Sequence, residues 1–422
     1  MKNRDGQTWL LTTLSLTLIA LTLTSRGAFA CINDRDSDTL AIQGQQLPDV
    51  VRVISGRFER NPPLYFQTRI ARVAAELQKH PERLALYDDI AVAHDRLGQQ
   101  NQAIAWMNRK RAQMAQSSTR SSAAGKEALY RFYANNGTFW AHRWLKAGAN
   151  RSRIGEIKTA RDMIAQAIKI KPNAHFGREK YQLMTMNWIL NPRVKGSDGK
   201  FFTPPLSEYF FHHQTFKTSS QPERISGLSG IIVLGNAWES VDIFESLSRA
   251  LANDKKSTLQ YLAILRCREL IDAGKKSLHS NGKTGFALQQ HLRIDAQSLD
   301  SAKGLVTGTN LDGLMVNEQN QAAIETVYKR LRAEAENWQN TRTSYMMSRL
   351  KTGRHPDTDK TFWNEWRDSS PPSLDVAWYS ERAAQAENRE KKNVAGLFLA
   401  FVPLFLVLAG TLIFVRRKRL RL

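Results

Sequence analysis

Three carboxylates at alternate positions, Asp34, Asp36 and Asp38, are the first residues in this chain whose types and spacing suggest chemistry. Alternating acids converge on a hard cation when a glycine at the sixth loop position makes the turn and a glutamate at the twelfth closes the shell. Thr39 and Gln45 stand at those two places, so a solvated acidic turn is expected instead of a calcium site. His212 and His213 suggest a metal, but adjacent residues on a regular element cannot both face one ion, and no Cys or Asp-rich partner stands nearby. Gly282-Lys283-Thr284 has the ending of a phosphate-binding loop, yet Ser277 occupies the place of its first glycine. Cys31 and Cys267 are the only cysteines, which permits at most one disulfide. Cys267 lies in the apolar run LAILRCREL, where a thiol serves as a small hydrophobe. With no G-x-S-x-G, H-E-x-x-H or C-x-x-C in the chain, no catalytic, cofactor-binding or metal residue is assigned. A hydrolase whose site is assembled from distant residues stays open as an alternative.

The two ends are hydrophobic. Lys2 and Arg4 precede an apolar run from Trp9 to Leu23, and Ala28-Phe29-Ala30 supplies small residues at the −3 and −1 places of a secretory cleavage site. Residues 1–30 are therefore read as a signal peptide cut after Ala30; acylation of Cys31 and an uncleaved anchor are the rival readings. At the other end Val394–Val415 is 22 residues without a charge, which as a helix spans about 33 Å and crosses a bilayer core. The RRKRLRL that follows is a stop-transfer and positive-inside signal. A transmembrane helix is expected at 393–415, a cytoplasmic tail at 416–422, and the body outside the cytoplasm, periplasmic or extracellular.

Charge fits that topology. Of the net +22, residues 1–30 carry +2 and the tail +5, leaving +15 on the body. Such a surface attracts anionic partners in a salt-dependent way. Nucleic acid is not expected on that side of a membrane, so envelope polyanions and acidic proteins are the candidates.

Between the ends the periodicity is helical. Pro62-Pro63 opens a segment in which Tyr65, Ile70, Val73, Ala74 and Leu77 form a one-sided stripe. From Leu84 to Met114, Tyr87, Ile90, Ala91 and His94 lead to Leu97-Gly98, and Ala103 and Met107 follow. Gly98 ends the first helix of this pair in the left-handed conformation. Trp140, Ala141, Trp144 and Gly148 repeat the spacing of Ile90, Ala91, His94 and Gly98; Ala160, Ile164, Ala167 and Pro172 complete a second unit with a longer turn.

These two units resemble the tetratricopeptide repeat, a helix pair of about 34 residues, with His94 and Met107 in place of the usual aromatics. The resemblance implies an all-α fold, a right-handed superhelical stack of helix pairs, plus the transmembrane helix. It also implies a concave groove for a protein or peptide, faced by Asp88, Val92 and Asp95. The organisation expected is a polar N-terminal loop at 31–46, repeats over 47–190 with a third helix from His175 to Leu190, an aromatic loop at 191–222, and degenerate helix pairs over 223–280. A polar connector and a long helix from Glu318 to Leu350 fill 281–350, and a linker with a juxtamembrane helix fills 351–392. The leading expectation is a membrane-anchored envelope scaffold for protein partners; a binder of anionic wall or lipid polymers is the alternative beside the hydrolase.

Overall fold

The computed structural model describes residues 33–36, 47–116, 122–172, 174, 177–252, 257–279 and 321–370. The expected signal peptide, Cys31, Asp38, Thr39, Gln45, Gly282-Lys283-Thr284, the expected juxtamembrane helix, the expected span at 393–415 and the basic tail lie outside those residues. Among the described residues no helix is long and apolar enough to cross a membrane.

The fold is all-α, with thirteen α-helices and one two-stranded hairpin among the described residues. The first five helices are α1 (Val50–Ser55), α2 (Pro63–Lys79), α3 (Leu84–Arg96), α4 (Gln100–Gln116) and α5 (Ala123–Lys146). A 3₁₀ turn at Arg151–Arg153 leads into α6 (Gly155–Ile170), then α7 (Arg178–Leu190). Next come β1 (Val194–Lys195) and β2 (Phe201–Phe202), and the short helices α8 (Leu206–His212) and α9 (Gln214–Thr218). The last four are α10 (Gln221–Val233), α11 (Val241–Ala252), α12 (Ser257–Asp272) and α13 (Gln321–Leu350).

Glycine sets the two stops that the sequence marks. Gly98 has φ 73° and donates to Asp95 O at 2.8 Å, while Gln99 N reaches His94 O at 2.8 Å. Gly148, φ 88°, donates to Leu145 O at 3.0 Å, and Ala149 N reaches Trp144 O at 3.0 Å. These are the two bonds of a Schellman stop, which satisfy carbonyls that the helix leaves unpaired. In each unit the chain then turns back, so that α4 packs on α3 and α6 on α5.

Most helices pack on their neighbours in sequence; α3 also touches α5, α8 packs chiefly on α11, α10 also packs on α7, α1 packs on α10, α12 and α13, and α13 returns across the chain to α1 and α2. The return is sealed by an apolar patch of Tyr65, Phe66, Ala93, Met346, Leu350 and Phe362. A second cluster joins α2 to α5 through Val73, Leu86, Ile90, Ala103, Met107 and Phe139. The largest runs from α5 to α12, joined by Val53 of α1 and Leu331 of α13, and takes in Tyr181, Trp188, Phe210, Phe216, Ile232, Phe244 and Leu262.

Several expectations change. The aromatic loop at 191–222 folds into the hairpin, α8 and α9, because Phe210 and Phe216 are buried against Tyr181 and act as core residues. The third helix begins at Arg178, three residues after His175, following Gly177 in the left-handed region (φ 70°). Of the degenerate helix pairs expected over 223–280, the last is one helix, α12, ended at Gly274 (φ 79°). Asp34 is not in a solvated turn; it is buried.

Candidate functional site

The most concentrated chemistry lies where four segments meet: residues 33–36, α2, α3 with α5, and the turn 355–357. Tyr65, Arg69, Val73 and Leu77 follow one another at four-residue spacing along the buried side of α2. Arg69 thus carries a charge into an apolar stripe, with its side chain 0% exposed. A guanidinium so placed must be paired, because an isolated buried charge is very costly.

Three aspartates do the pairing. Arg69 Nη1 donates to Asp34 Oδ2 at 3.3 Å and to Asp36 Oδ2 at 3.1 Å, and Nη2 to Asp36 Oδ1 at 2.7 Å. From 288 residues further along the chain, Asp357 takes Nε at 2.9 Å and Nη2 at 2.7 Å, a bidentate fork. Tyr65 Oη donates to Asp36 Oδ1 at 2.7 Å and accepts from Arg69, and Arg72 also donates to Asp357. Burial works against the Arg69 charge, but Asp36, Tyr65 and Asp357 outweigh it and hold the guanidinium protonated. Burial also opposes the Asp357 carboxylate, and Arg69 beside it overrides that and keeps its pKa below the usual range.

His355 orders the turn. Asp357 N donates to its Nδ1 at 3.1 Å, which leaves the proton on Nε2 to reach Tyr65 O at 3.1 Å, and the two rings stack at 4.7 Å. Burial holds this imidazole below its ordinary pKa, in keeping with the neutral tautomer that the bonds require.

The segment at 33–36 is also held by its backbone. Asn135 Oδ1 accepts from Asn33 N at 2.7 Å and Asn135 Nδ2 donates to Asn33 O at 2.8 Å. Arg35 N donates to Asp89 Oδ1 at 2.9 Å, and the Arg35 and Asp89 side chains pair at 3.2 Å. Burial raises Asp89 in spite of its neighbours Arg69 and Arg35. Asn135 Nδ2 reaches one step deeper, to Asp88 Oδ1 at 3.0 Å, whose Oδ2 accepts from Lys110 Nζ at 2.6 Å. Burial pushes Asp88 up and Lys110 down, and their contact offsets part of each shift. A second polar rung joins the same helices where His142 Nδ1 meets both Asp95 oxygens, at 2.8 and 2.7 Å. Among the described residues His142 Nε2 is buried without a hydrogen-bond partner.

The positions expected to face a partner groove are therefore interior. Asp88, Val92 and Asp95 are all buried, Asp88 and Asp95 against α5, and residues 33–36 reach this helix pair through Asn135 and Asp89. The physical reason is that Asn135 and His142 supply polar partners across the helix interface, so carboxylates can be buried there. The repeat positions separate by role. Tyr87, Ile90, Ala91, Ala103 and Met107 share one apolar cluster, and Ala141, Trp144, Ala160 and Ile164 share another, against which Trp140 packs. Ala167 lies in a small cluster with Tyr130 and Ala134. His94 is half-buried and bonds Gln99 at 2.6 Å, while Gly148 and Pro172 are exposed.

The other residues singled out for chemistry lie apart. His213 caps α9, its Nδ1 accepting from Thr215 N at 3.3 Å, whereas His212 sits edge-on to Phe202 at 5.6 Å. Cys267 is a free, buried thiol. Among the described residues no group of three His, Cys, Asp or Glu side chains could hold a metal ion.

Sequence reasoning missed Arg69, Asn135, Lys110, His142, His355 and Asp357. Arg69 was detectable as the one charge in line with Tyr65, Val73 and Leu77; the rest come from distant segments and leave no local trace. No family model matches the chain, and no curated protein or solved structure matches it either.

Proposed function

We propose that the chain is a membrane-tethered protein-interaction scaffold of the cell envelope. In this reading its helix pairs form a right-handed tetratricopeptide-like superhelix, hung outside the cytoplasm from a span at 393–415. The convergence of both ends of the body on Arg69 carries the proposal. Asp34 and Asp36 follow the expected cleavage site closely, and Asp357 comes from the last described segment before the apolar run. Both hydrophobic ends would then leave the body at one place, which suits a body held by one pole with the remainder free to meet partners.

Asn135 supports the scaffold reading in another way. Its carboxamide grips a backbone N–H and a backbone C=O of the same residue, Asn33, and also accepts from that residue's side-chain amide at 3.4 Å, which fixes the start of the described chain to α5. Because residues 33–36 occupy that grip, partner binding falls to surface outside it.

Crosslinking and affinity capture of the full chain from intact membranes tests the function. One stoichiometric protein that stays bound at high salt is the expected result. Loss of all captured material with salt would overturn it in favour of the anionic-polymer binder, since charge-driven association is screened.

A further inference from the structure

The hairpin between α7 and α8 presents an unusual face. Its register pairs Val194 with Phe202 and Lys195 with Phe201. Side chains alternate along a strand, so Arg193, Lys195 and Phe201 share one face while Val194 and Phe202 share the other. The second face turns to the body, where Phe202 meets His212 at 5.6 Å. The first meets solvent: Arg193, Lys195 and Phe201 are all exposed, and the Arg193 guanidinium lies 5.3 Å from the Phe201 ring centroid. Among the described residues Phe201, 61% exposed, and Phe202, 37%, are the only exposed large hydrophobic side chains. The turn between the strands is tight, with Gly196 N bonded to Lys200 O at 2.8 Å and Gly199 at φ 78°, so it adds no cover.

An aromatic ring flanked by two cations suits the boundary of a bilayer, where the ring enters the headgroup layer and the cations meet lipid phosphates. A protein partner fits less well, because a specific interface needs about 800 Å² on each side, far more than one ring and two flexible cations supply. A bilayer sets no such threshold for a chain already tethered to it, since the second contact then forms at high effective concentration. We infer that the Arg193–Lys195–Phe201 face of the hairpin docks on an anionic phospholipid surface and steadies the body against the membrane. This rests on the tethered reading given above.

The test uses the full chain with Cys31→Ser and a fluorophore on Ser197→Cys in the turn, incorporated into lipid nanodiscs carrying spin-labelled lipid. Co-elution with phosphatidylcholine discs reports on the span alone. Quenching of the fluorophore in phosphatidylglycerol discs, weak in phosphatidylcholine and reversed by salt, is the result expected for the hairpin. Phe201→Ser should abolish it, and Arg193→Ala with Lys195→Ala should weaken docking about thirtyfold. Co-elution without quenching, equal quenching in both lipids, or quenching that survives these substitutions overturns the docking and leaves the tether standing. Failure to co-elute overturns the tether; if such a chain also fails to float with phosphatidylglycerol vesicles, the docking falls with it.

Discussion

The clasp at Arg69 and the hub between α7 and α12 solve the same problem, holding distant segments together, by opposite means. In the hub Phe210 and Phe216 stack at 5.4 Å, Tyr181 stands edge-on to each at 6.1 Å, and Phe244 fills in behind. Its cohesion comes from apolar area and shape, so it is shared among many contacts and each is small. In the clasp one guanidinium answers three carboxylates, and its energy resides in a few pairs that cannot be removed singly without leaving a charge unanswered. A hub of this kind tolerates conservative change, whereas a clasp is nearly all or none.

The largest expected effect follows from that contrast. Arg69→Met takes the central cation from Asp34, Asp36 and Asp357 and leaves Arg72 as the nearer of the cations still paired with Asp357, and should cost about 3–5 kcal/mol, read as a lower urea midpoint of the full chain in nanodiscs. A loss under about 1 kcal/mol would mean that water already reaches those acids and that the clasp is no clasp.

Acid separates the two regions by sign. Burial raises Asp242, in α11 within the hub, to about 6, with Ser277 and the Leu278 N–H opposing. Because an unfolded aspartate titrates near 3.9, the folded state takes up the proton first. The hub should therefore be most stable below about pH 4 and lose up to about 3 kcal/mol as pH rises to 6. Asp357 is shifted the other way, so its contribution is present above about pH 4 and lost as pH falls through its lowered value. Hydrogen exchange resolved by segment should show α11 gaining protection between pH 6 and 4 and residues 354–359 losing it below 4. Asp242→Asn should flatten the first change alone.

Shape is the hub's weak point. A Cβ at Gly227 would lie 2.3 Å from Tyr181 Cε2, so Gly227→Ala forces α10 away from α7 and should cost about 1–3 kcal/mol. A neutral result in calorimetry would show that the hub is looser than its packing implies. Asn135→Ala removes both backbone bonds to Asn33 and the bond to Asp88 and should cost about 1–3 kcal/mol, seen as faster protease cutting near residues 33–36 with the hub unchanged.

How much of this the sequence disclosed differs between the regions for the same reason. Helix pairs with stops at Gly98 and Gly148 were legible because periodicity and left-handed glycines are local signals, and α13 was legible within a few residues at its start. The 191–222 segment, expected as an aromatic loop, folds into short elements because Phe210 and Phe216 are core partners of Tyr181 in a segment distant in sequence. The clasp was hardest, since Asp34 and Asp36 carry the wrong motif for a cation site and their partner, Arg69, is itself a cation. Gly137 passed unnoticed too, although α6 backbone comes within 3.0 Å of where its Cβ would stand.

The span from Arg69 to Asp357 also dictates timing. Arg69 must emerge from the ribosome 288 residues before its last carboxylate exists. Until then α2 carries an incompletely neutralised guanidinium on the side that should be sealed, and its final packing must wait for the end of synthesis. A prematurely terminated product would thus keep a polar flaw in its first long helix.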